Sequence, residues 1–396
     1  MATVAETLGP PRTSVGVVGW LRKNLFNNWF NSILTIVSLW LIYSVVSQLL
    51  VWAVTSARWA VITANLRLFM VGPFPPDQVW RVWLVLGMVS VLMGVSAGVW
   101  GKTVRTFAIW LAAAYATVAV LPYDGEGRLW LVGNLLALVG AYAISRGRAR
   151  FKRWVLALWL MSFVVTVILL QGFSKNPVLP EVGTNLWGGL LLTLMLAVVS
   201  IVLSFPIGVL LALGRRSQLP AIKWFSILYI EVVRGVPLVT ILYMTQIMLP
   251  LFLPGEFRVD NVVRAIVAFT LFTAAYMAEN VRGGLQAIPG GQVEAAQALG
   301  LGSALVTLLI VLPQALRLVI PSIVGLFISL FKDTTLATIV ALLELLGVGR
   351  SVLAQPEFLG LQTEVYIFIA AIFFVFSYAM AFASYRLEAA LGVGKR

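Results

Sequence analysis

Long apolar segments with few or no charges constrain this chain more than any other feature of its sequence. The first runs from Ser32 to Ala57 without a charged residue, which exceeds the roughly 20 residues that a helix needs to cross a bilayer. Backbone in hydrocarbon must satisfy its own hydrogen bonds, so such segments predict an all-α polytopic membrane protein with about ten transmembrane helices. The further apolar segments are Val82 to Gly101, Thr106 to Tyr123, Leu129 to Ser145, Trp154 to Ser174, Leu190 to Leu213, Ile222 to Leu251, Val262 to Ala278, Pro313 to Leu343 and Val365 to Tyr385.

Composition agrees with a membrane protein and excludes several kinds of chemistry. The chain is 61% hydrophobic and 11% charged, whereas soluble domains carry about 25% charged residues. It contains no Cys and no His, which removes thiolate chemistry and the commonest metal ligand, so neither a catalytic nor a metal site is predicted. We assign the net charge of +13 to cytoplasmic loops and predict no nucleic-acid binding.

The distribution of charge predicts the orientation in the membrane. With the N-terminus in the cytoplasm, successive loops alternate, and a dense basic cluster between the fourth and fifth segments falls inside, as the positive-inside rule requires. The acidic loop at Asp124 and Glu126 then lies outside, and the C-terminus lies in the cytoplasm. The residues of the basic cluster are Arg146, Arg148, Arg150, Lys152 and Arg153.

A Pro-containing segment, Asn176 to Glu181, is the predicted domain boundary. It divides the chain into an N-terminal transmembrane extension, residues 1–181, and a second domain, residues 182–396, with five predicted crossings on each side. Within the extension, Arg58 to Gln78 places apolar residues at helical spacing before a Pro-rich stretch, and we interpret it as a helix in the membrane interface. A short solvated loop helix is the alternative.

One short motif resembles part of a nucleotide-binding site but lacks the required spacing. Gly101-Lys102-Thr103 looks like the end of a phosphate-binding loop, which requires a Gly six positions before the Lys. Ser96 occupies that position, and the flanking segments are transmembrane. We therefore predict that the chain binds no nucleotide and no cofactor of its own.

Glu231 and Arg234 interrupt the apolar segment Ile222 to Leu251, three residues apart and so on one helix face. Gly235 and Pro237 follow and are expected to loosen the helix. At 1.5 Å per residue, Arg234 lies about 18 Å along a helix that starts at Ile222, so both charges are predicted inside the bilayer. They are candidates for a substrate pathway, and a structural ion pair between helices is the alternative.

A second polar group interrupts the ninth apolar segment at Lys332, Asp333, Thr334 and Thr335. A cation, an anion and two hydroxyl groups offer partners for both ends of a zwitterion, which makes these residues substrate-pathway candidates as well. The alternative is that the helix ends here, near the outer interface.

The stretch after the eighth apolar segment is polar and rich in small residues. Glu279 and Arg282 end that segment and are interpreted as surface anchors. A break at Pro289-Gly290-Gly291 precedes a short helix, Gln292 to Leu299, which Gly300 can close as a C-cap. Small side chains on a cytoplasmic helix suit a docking surface, because they let a partner approach closely.

The spacing in this loop resembles the EAA loop of permease subunits of bacterial ABC importers. It consists of Glu-Ala-Ala, three residues, Gly, nine residues and Ile-x-Leu-Pro. The resemblance implies that residues 283–313 form the loop that couples to a cytoplasmic ATPase, with Glu294, Ala295, Ala296 and Gly300 in the contact. The positions that match are Glu294, Ala295, Ala296, Gly300, Ile310, Leu312 and Pro313.

Further motifs are similar to the polar amino acid importer family. Glu231 to Leu238 resembles its E-x-x-R-G-T-P-L segment, with Val236 where Thr is usual, and the N-terminal half resembles the large permeases of general L-amino acid importers. The other similar stretches are Ala275 to Gly284, Leu312 to Arg317 and Ser329 to Leu336.

The resemblance implies a transport subunit of the bacterial inner membrane rather than an enzyme. Residues 182–396 would be a five-helix ABC-importer permease core, paired with a second permease. Two copies of an ATPase that uses ATP and Mg would drive it, and an external solute-binding protein would deliver L-amino acids. Two other functions remain open: an ion-coupled secondary transporter, which needs no ATPase, and a structural partner subunit without its own substrate site.

Overall fold

The structure is a computed structural model that describes residues 16–120, 125–252, 254 and 259–392. The predicted acidic loop residue Asp124, the N-terminal tail up to residue 15 and the last four residues lie outside this range. The α-helices, in chain order, are α1 (Gly16–Asn24), α2 (Trp29–Thr55), α3 (Ala60–Ala64), α4 (Leu66–Val71), α5 (Trp80–Val99), α6 (Lys102–Val120), α7 (Gly125–Ser145), α8 (Lys152–Gln171), α9 (Gly189–Arg215), α10 (Pro220–Gly235), α11 (Leu238–Tyr243), α12 (Leu249–Phe252), α13 (Asn261–Gln286), α14 (Gly290–Ala298), α15 (Ser303–Leu305), α16 (Leu312–Asp333), α17 (Leu345–Leu353) and α18 (Gln362–Leu391).

The all-α polytopic architecture is confirmed. Within the described residues, 9 helices are long and apolar enough to cross a membrane, or up to 10 if the bent pair formed by α10 and α11–α12 is one span. A π-helical turn, Val306–Val311, joins α15 to α16, and a 3-10 helix, Thr334–Val340, extends α16.

The chain forms two compact units, one up to Ala60 and the other from Val61 onward. The first contains α1 and the first membrane-spanning helix, α2. Asn28 caps α2, since its side chain accepts a hydrogen bond from the Asn31 N–H. After α2, the Trp59 indole donates to the Ala53 carbonyl at 2.8 Å and meets the Trp52 ring edge-on at 6.0 Å.

The predicted crossing from Ile222 to Leu251 is not one straight helix. α10 and the following α11–α12 segment meet at an angle of 106°. The break has a local cause: Val236 precedes Pro237 and takes an extended conformation (φ −108°, ψ 133°), which the proline ring favours over the helical one. The sequence predicts a loosened helix at this site, and the structure shows that the chain changes direction there.

In the second unit, α5–α8 form a group that we call the N-terminal bundle. α5 and α7 pack closely because α5 presents small residues, and a Cβ atom at Gly94 would come within 2.9 Å of the Ala141 methyl group. Two polar pairs lie inside the bundle: Ser90 with Tyr115 at 2.7 Å, and the Trp159 indole with the Ser96 hydroxyl at 3.0 Å.

The remaining helices, α9–α18, form the C-terminal bundle, in which α13 is central. It packs against α9, α10, α11 and α16. Its buried face is rich in alanine, which lets the neighbouring helices approach closely where the hydrophobic effect cannot drive association. The buried alanines of α13 are Ala265, Ala268, Ala274, Ala275 and Ala278.

The segment from Arg58 to Gln78 differs from the predicted interfacial helix. It forms two short helices, α3 and α4, and its large apolar side chains pack against protein: Phe69 and Phe74 are both fully buried. The Phe69 ring meets that of Phe368 on α18 at 5.2 Å. The prediction of a single helix is therefore wrong, because the chain breaks between α3 and α4. The apolar face that suggested lipid contact packs against α17 and α18 instead.

The end of this segment lies against the start of α9. The Gly188 N–H donates to the Val71 carbonyl at 3.2 Å, and a Cβ atom at Gly188 would lie 2.9 Å from both the Gly72 Cα and the Leu343 carbonyl oxygen. Three stretches that are distant in sequence thus meet at a point where only glycine fits.

The predicted boundary at Asn176 to Glu181 also carries a contact with α5. The fully buried Arg81 donates from Nη2 to the Pro180 carbonyl at 2.9 Å. The linker folds back on itself, since the Phe173 N–H donates to the Leu179 carbonyl at 2.9 Å. The division of the chain at residue 181 stays a prediction.

We predict that Gly188→Ala destabilises the protein by about 1–3 kcal/mol, because the new methyl group overlaps the Gly72 and Leu343 backbones. Thermal unfolding of the purified chain in detergent measures the loss. Gly140→Ala in α7 is the matched control, since a Cβ atom there meets nothing within 4 Å. Equal melting temperatures for the two variants would contradict this account of the junction.

Candidate functional site

The short helix α14 has one face in the protein and one face exposed. Ala296 is 5% exposed and packs in the cluster that contains Leu285, Val306 and Val311. Glu294 and Ala295 lie on the exposed face. The inner face therefore fixes α14 to α13 and to the start of α16, while the outer face is available for contact.

Gly300 ends this helix as expected from the sequence. α14 begins at Gly290 and ends at Ala298, and Gly300 takes a positive φ of 80°, the left-handed conformation that favours glycine. The N–H of Leu301 donates to the Ala296 carbonyl at 3.2 Å and that of Gly300 to Gln297 at 2.9 Å. These bonds satisfy carbonyl groups at the helix end and fix the direction of the chain that follows.

Leu299 extends the exposed surface of α14 and was missed in the sequence. Its side chain is 83% exposed, although it is large and apolar. The available signal was an apolar residue immediately before the C-capping glycine of an otherwise polar loop. The outer surface of α14 thus combines a carboxylate, a methyl group and an isobutyl group, which suits a partner groove with both apolar and cationic contacts.

Glu279 is the centre of a group of charges that we call the charged cluster: Arg215, Glu231, Arg234, Glu279 and Arg282. Its side chain is 15% exposed and pairs with Arg215 at 2.8 Å, Arg234 at 3.6 Å and Arg282 at 2.7 Å. Three guanidinium groups from α9, α10 and α13 therefore share one carboxylate. Arg282 also donates to Gln286 at 2.9 Å, toward the end of α13.

The interpretation of Glu279 and Arg282 as surface anchors is wrong. α13 does not end near Ala278 but continues to Gln286, and Glu279 is largely buried against α9 and α10 rather than free at the protein surface. Its partners Arg215 and Arg234 lie 64 and 45 residues earlier in the chain, so no local pattern indicates these pairs.

Glu231 and Arg234 do not pair with each other. Glu231 pairs with Arg215 at 3.0 Å, and Arg234 lies over the Tyr276 ring at 5.4 Å from its centroid as well as against Glu279. Arg215 is the last residue of α9, so Glu231 lies level with that helix end. The depth of about 18 Å that the sequence predicts for Arg234 assumes that α10 runs along the bilayer normal.

The charged cluster holds an excess of positive charge. Three arginines (+3) and two glutamates (−2) leave a formal charge of +1. Because α13 continues directly from Glu279 to the loop before α14, the cluster joins three helices within a few turns of the exposed face of α14.

Lys332, Asp333, Thr334 and Thr335 lie at the other end of the C-terminal bundle. Thr334 is fully buried and donates to the Phe331 carbonyl at 2.7 Å, and Thr335 donates to the Lys332 carbonyl at 2.8 Å. Both hydroxyl groups are thus paired with the preceding helical turn. The Lys332 side chain is exposed, and that of Asp333 is half-buried.

The two sets of pathway candidates are far apart. The turn after α16 lies near the start of α9, where the Leu345 N–H donates to the Thr193 hydroxyl at 3.0 Å. Thr193 and Arg215 are separated by 22 residues of α9, or about 33 Å at 1.5 Å per residue. The structure therefore brings Glu231 and Arg234 to one end of α9 and the Lys332 group toward the other.

A buried carboxyl group that the sequence did not indicate lies near the start of α9, at the same end of the bundle as the Lys332 group. Glu344 is fully buried and caps α17, because it accepts hydrogen bonds from the N–H groups of Leu346 and Gly347 at 2.8 Å each. The Thr338 hydroxyl also donates to it. Burial raises the pKa of the Glu344 carboxyl group above its ordinary value, and the three hydrogen bonds act in the opposite direction.

Comparison with known families gives a match in the C-terminal half. Residues 204–392 match the family described as binding-protein-dependent transport system inner membrane component. The whole chain is similar to "Inner membrane amino-acid ABC transporter permease protein YhdY" of Escherichia coli (strain K12), with 37% identity over 98% of this chain and 97% of that protein. It is also 38% identical to "Glutamate/glutamine/aspartate/asparagine transport system permease protein BztC" of Rhodobacter capsulatus, over 97% and 96% of the two chains.

Shorter relatives match about half of the chain. "Probable glutamine ABC transporter permease protein GlnP" of Bacillus subtilis is 36% identical over 51% of this chain and 92% of its own length. A solved structure titled "Crystal structure of an amino acid ABC transporter with histidines" is 28% identical, with a TM-score of 0.46, over 51% of this chain and 91% of that chain.

We predict that Glu279→Ala lowers stability by about 1–3 kcal/mol, because three partly buried arginines lose their shared partner. Thermal unfolding in detergent again measures the effect. Glu294→Ala removes the same side chain from an exposed position that has no ion pair within the described residues, and it should leave the midpoint unchanged. A midpoint for Glu279→Ala equal to that of the control would show that the charged cluster does not hold the helices together.

Proposed function

The chain belongs to the family of inner membrane permease subunits of ABC importers, and from that premise we propose that it imports L-amino acids with energy from a cytoplasmic ATPase docked on α14. The observation that carries the coupling is the two-sided nature of this helix. Ala296 is fixed in the protein, while Glu294, Ala295 and Leu299 are exposed. A partner that moves α14 therefore moves the helices to which it is attached.

The substrate class follows from the relatives. The two that match along the whole chain are named for amino-acid transport, one of them for glutamate, glutamine, aspartate and asparagine. A second permease completes the translocation pathway, and an external solute-binding protein delivers the substrate. ATP and Mg are used by the ATPase, and this chain binds neither. The N- and C-termini lie in the cytoplasm, on the same side as α14.

The charged cluster gives the coupling a mechanical route. Arg215 at the end of α9 and Arg234 on α10 are both held by Glu279 on α13. A displacement of α14 reaches α13 first, and the ion pairs make α9 and α10 follow it. ATP-driven closure of the ATPase then favours one of two arrangements of these helices, which is what alternating access requires.

Glu231, Arg234, Lys332, Asp333, Thr334 and Thr335 remain our candidates for contact with the substrate. Because the structure separates them into two groups, they would act in sequence along the path rather than as a single site. In this proposal the exposed Lys332 meets the substrate carboxylate near one end, and Arg234, beside Tyr276, meets it near the other.

The function is tested by uptake into vesicles that contain the complete transporter. With an ATP-regenerating system on the ATPase side, a radiolabelled L-amino acid panel should accumulate, and ionophores that collapse proton and sodium gradients should have no effect. We expect Glu294→Lys to abolish this uptake while the subunit still inserts, since reversal of charge on the exposed face prevents docking. Uptake that needs an ion gradient and no ATP would instead identify a secondary transporter.

A matched pair of variants separates docking from folding. Ala295→Leu adds bulk on the exposed face and should reduce uptake and ATPase co-purification by at least about tenfold with an unchanged melting temperature. Ala296→Leu adds the same bulk to a buried site and should lower stability by about 1–3 kcal/mol. Normal uptake by Ala295→Leu would exclude this face as the ATPase contact.

For the pathway, we expect Lys332→Ala and Arg234→Ala to weaken transport of zwitterionic and anionic amino acids several-fold, because each removes a cation that faces the substrate. The measurement is the concentration dependence of ATP-driven uptake. Lys223→Ala, which removes an exposed cation from the first turn of α10, is the control. Unchanged uptake in both test variants would assign these residues to structure alone.

A further inference from the structure

Eight exposed basic side chains meet at one end of the N-terminal bundle, and we call them the basic patch. They come from the first turn of α6, the α7–α8 turn with the start of α8, and the last turns of α18. None of them takes part in an ion pair of the described chain, since all of those pairs lie in the charged cluster. The residues are Lys102, Arg105, Arg146, Arg148, Arg150, Lys152, Arg153 and Arg386.

Direct contacts bring these three places together. The Arg105 guanidinium lies 5.5 Å from the centre of the Tyr142 ring, which places the start of α6 beside the end of α7. The 3-10 turn Ala149–Phe151 packs against α5. Phe107 meets Phe382 of α18 at 5.9 Å, and the Arg386 guanidinium lies 5.0 Å from that same Phe382 ring.

Among the described residues of these turns, Glu388 on α18 is the carboxylate that opposes the eight basic side chains. Between residues 99 and 155 the acids are Asp124 and Glu126, and Asp124 lies outside the described residues. Glu126 is in the first turn of α7, so 19 residues, or about 29 Å, separate it from Ser145 at the other end. Glu388 on α18 accepts a hydrogen bond from Ser384 at 2.7 Å. The patch is therefore strongly cationic.

Exposed aromatic rings place the patch at the level of lipid headgroups. Trp100 and Trp154 are 44% and 55% exposed, and both lie at helix ends next to the basic side chains. The Arg153 guanidinium stands over the Trp154 ring at 5.7 Å. Tryptophan concentrates at the membrane–water interface because its ring is amphipathic, so the neighbouring cations lie where the phosphate groups of the lipid lie.

We propose that the basic patch binds the anionic headgroups of membrane phospholipids and holds the N-terminal bundle to an anionic lipid shell. Clusters of four to eight Lys and Arg next to transmembrane helices attract anionic lipid electrostatically. Arginine adds bidentate hydrogen bonds to phosphate. The position next to interfacial tryptophans favours lipid over a soluble acidic partner, because headgroups already surround the side chains there.

The test compares two lipids around the full chain in phosphatidylcholine bilayers. Spin-labelled phosphatidylglycerol should associate with the protein at least about tenfold more strongly than spin-labelled phosphatidylcholine at low salt, and 0.5 M NaCl should reduce this preference. The combined variant Arg148→Gln, Arg150→Gln, Lys152→Gln and Arg153→Gln should lose this preference. Each basic residue near the membrane surface contributes about fivefold to the binding of anionic lipid. Lipid occupies both leaflets, so the result does not depend on orientation or on the transport function.

A charge-preserving control carries Arg148→Lys, Arg150→Lys and Arg153→Lys and should retain most of the preference. Unchanged lipid selectivity in the Gln variant would overturn the proposal. If the Gln variant with unchanged selectivity also binds the purified ATPase more weakly, the patch is a protein contact instead. The chain contains no Cys, so Thr103→Cys with an impermeant maleimide checks that both variants keep the same face accessible. If the four-site variant does not fold, Arg148→Gln with Arg150→Gln applies the same test in an exposed loop.

Discussion

In the C-terminal bundle, three arginines from three helices share a single carboxylate. Hydrocarbon makes an unpaired charge costly, so side chains such as Arg215 and Arg234 are tolerated near the ends of apolar helices only where a partner meets them. Glu279 provides that partner from α13, the helix against which α9, α10, α11 and α16 all pack. Alanine and glycine bring the backbones close, and the ion pairs then select which helix faces meet.

The same helix links this cluster to α14, the helix on which we propose that the ATPase docks. α14 follows α13 after a short break, and it is attached by a buried face while its outer face is free. The separation of these two faces within one short helix is the physical basis of the coupling that we propose, since packing inside would transmit a force applied outside. The two groups of pathway candidates lie toward opposite ends of α9, so they do not form a single enclosed site.

The segment that contains α3 and α4, in the N-terminal half, is joined to the C-terminal bundle by backbone contacts as well as by chain connectivity. α3 and α4 lie against α17 and α18, and glycine at positions 72 and 188 lets two backbones touch. The short relatives that match half of this chain do without such a half, whereas the full-length relatives share it. The N-terminal half also carries most of the basic patch that we propose binds anionic lipid headgroups.

The sequence alone determined the fold class, the approximate positions of the membrane spans and the short helix that Gly300 closes. These depend on local properties: the length of apolar segments, the spacing around Glu294, and the glycine at position 300 that takes a positive φ. It also indicated the weak point at Gly235 and Pro237, although not the size of the bend there.

Only the tertiary structure decided which charges are paired, which side of α14 is exposed and what covers the segment after Arg58. Glu279 meets partners 45 and 64 residues away, and Leu299 is exposed although its type predicts burial. Such contacts depend on how whole helices cross and rotate against one another. That geometry results from many weak packing interactions together, so the periodicity of a single helix does not contain it.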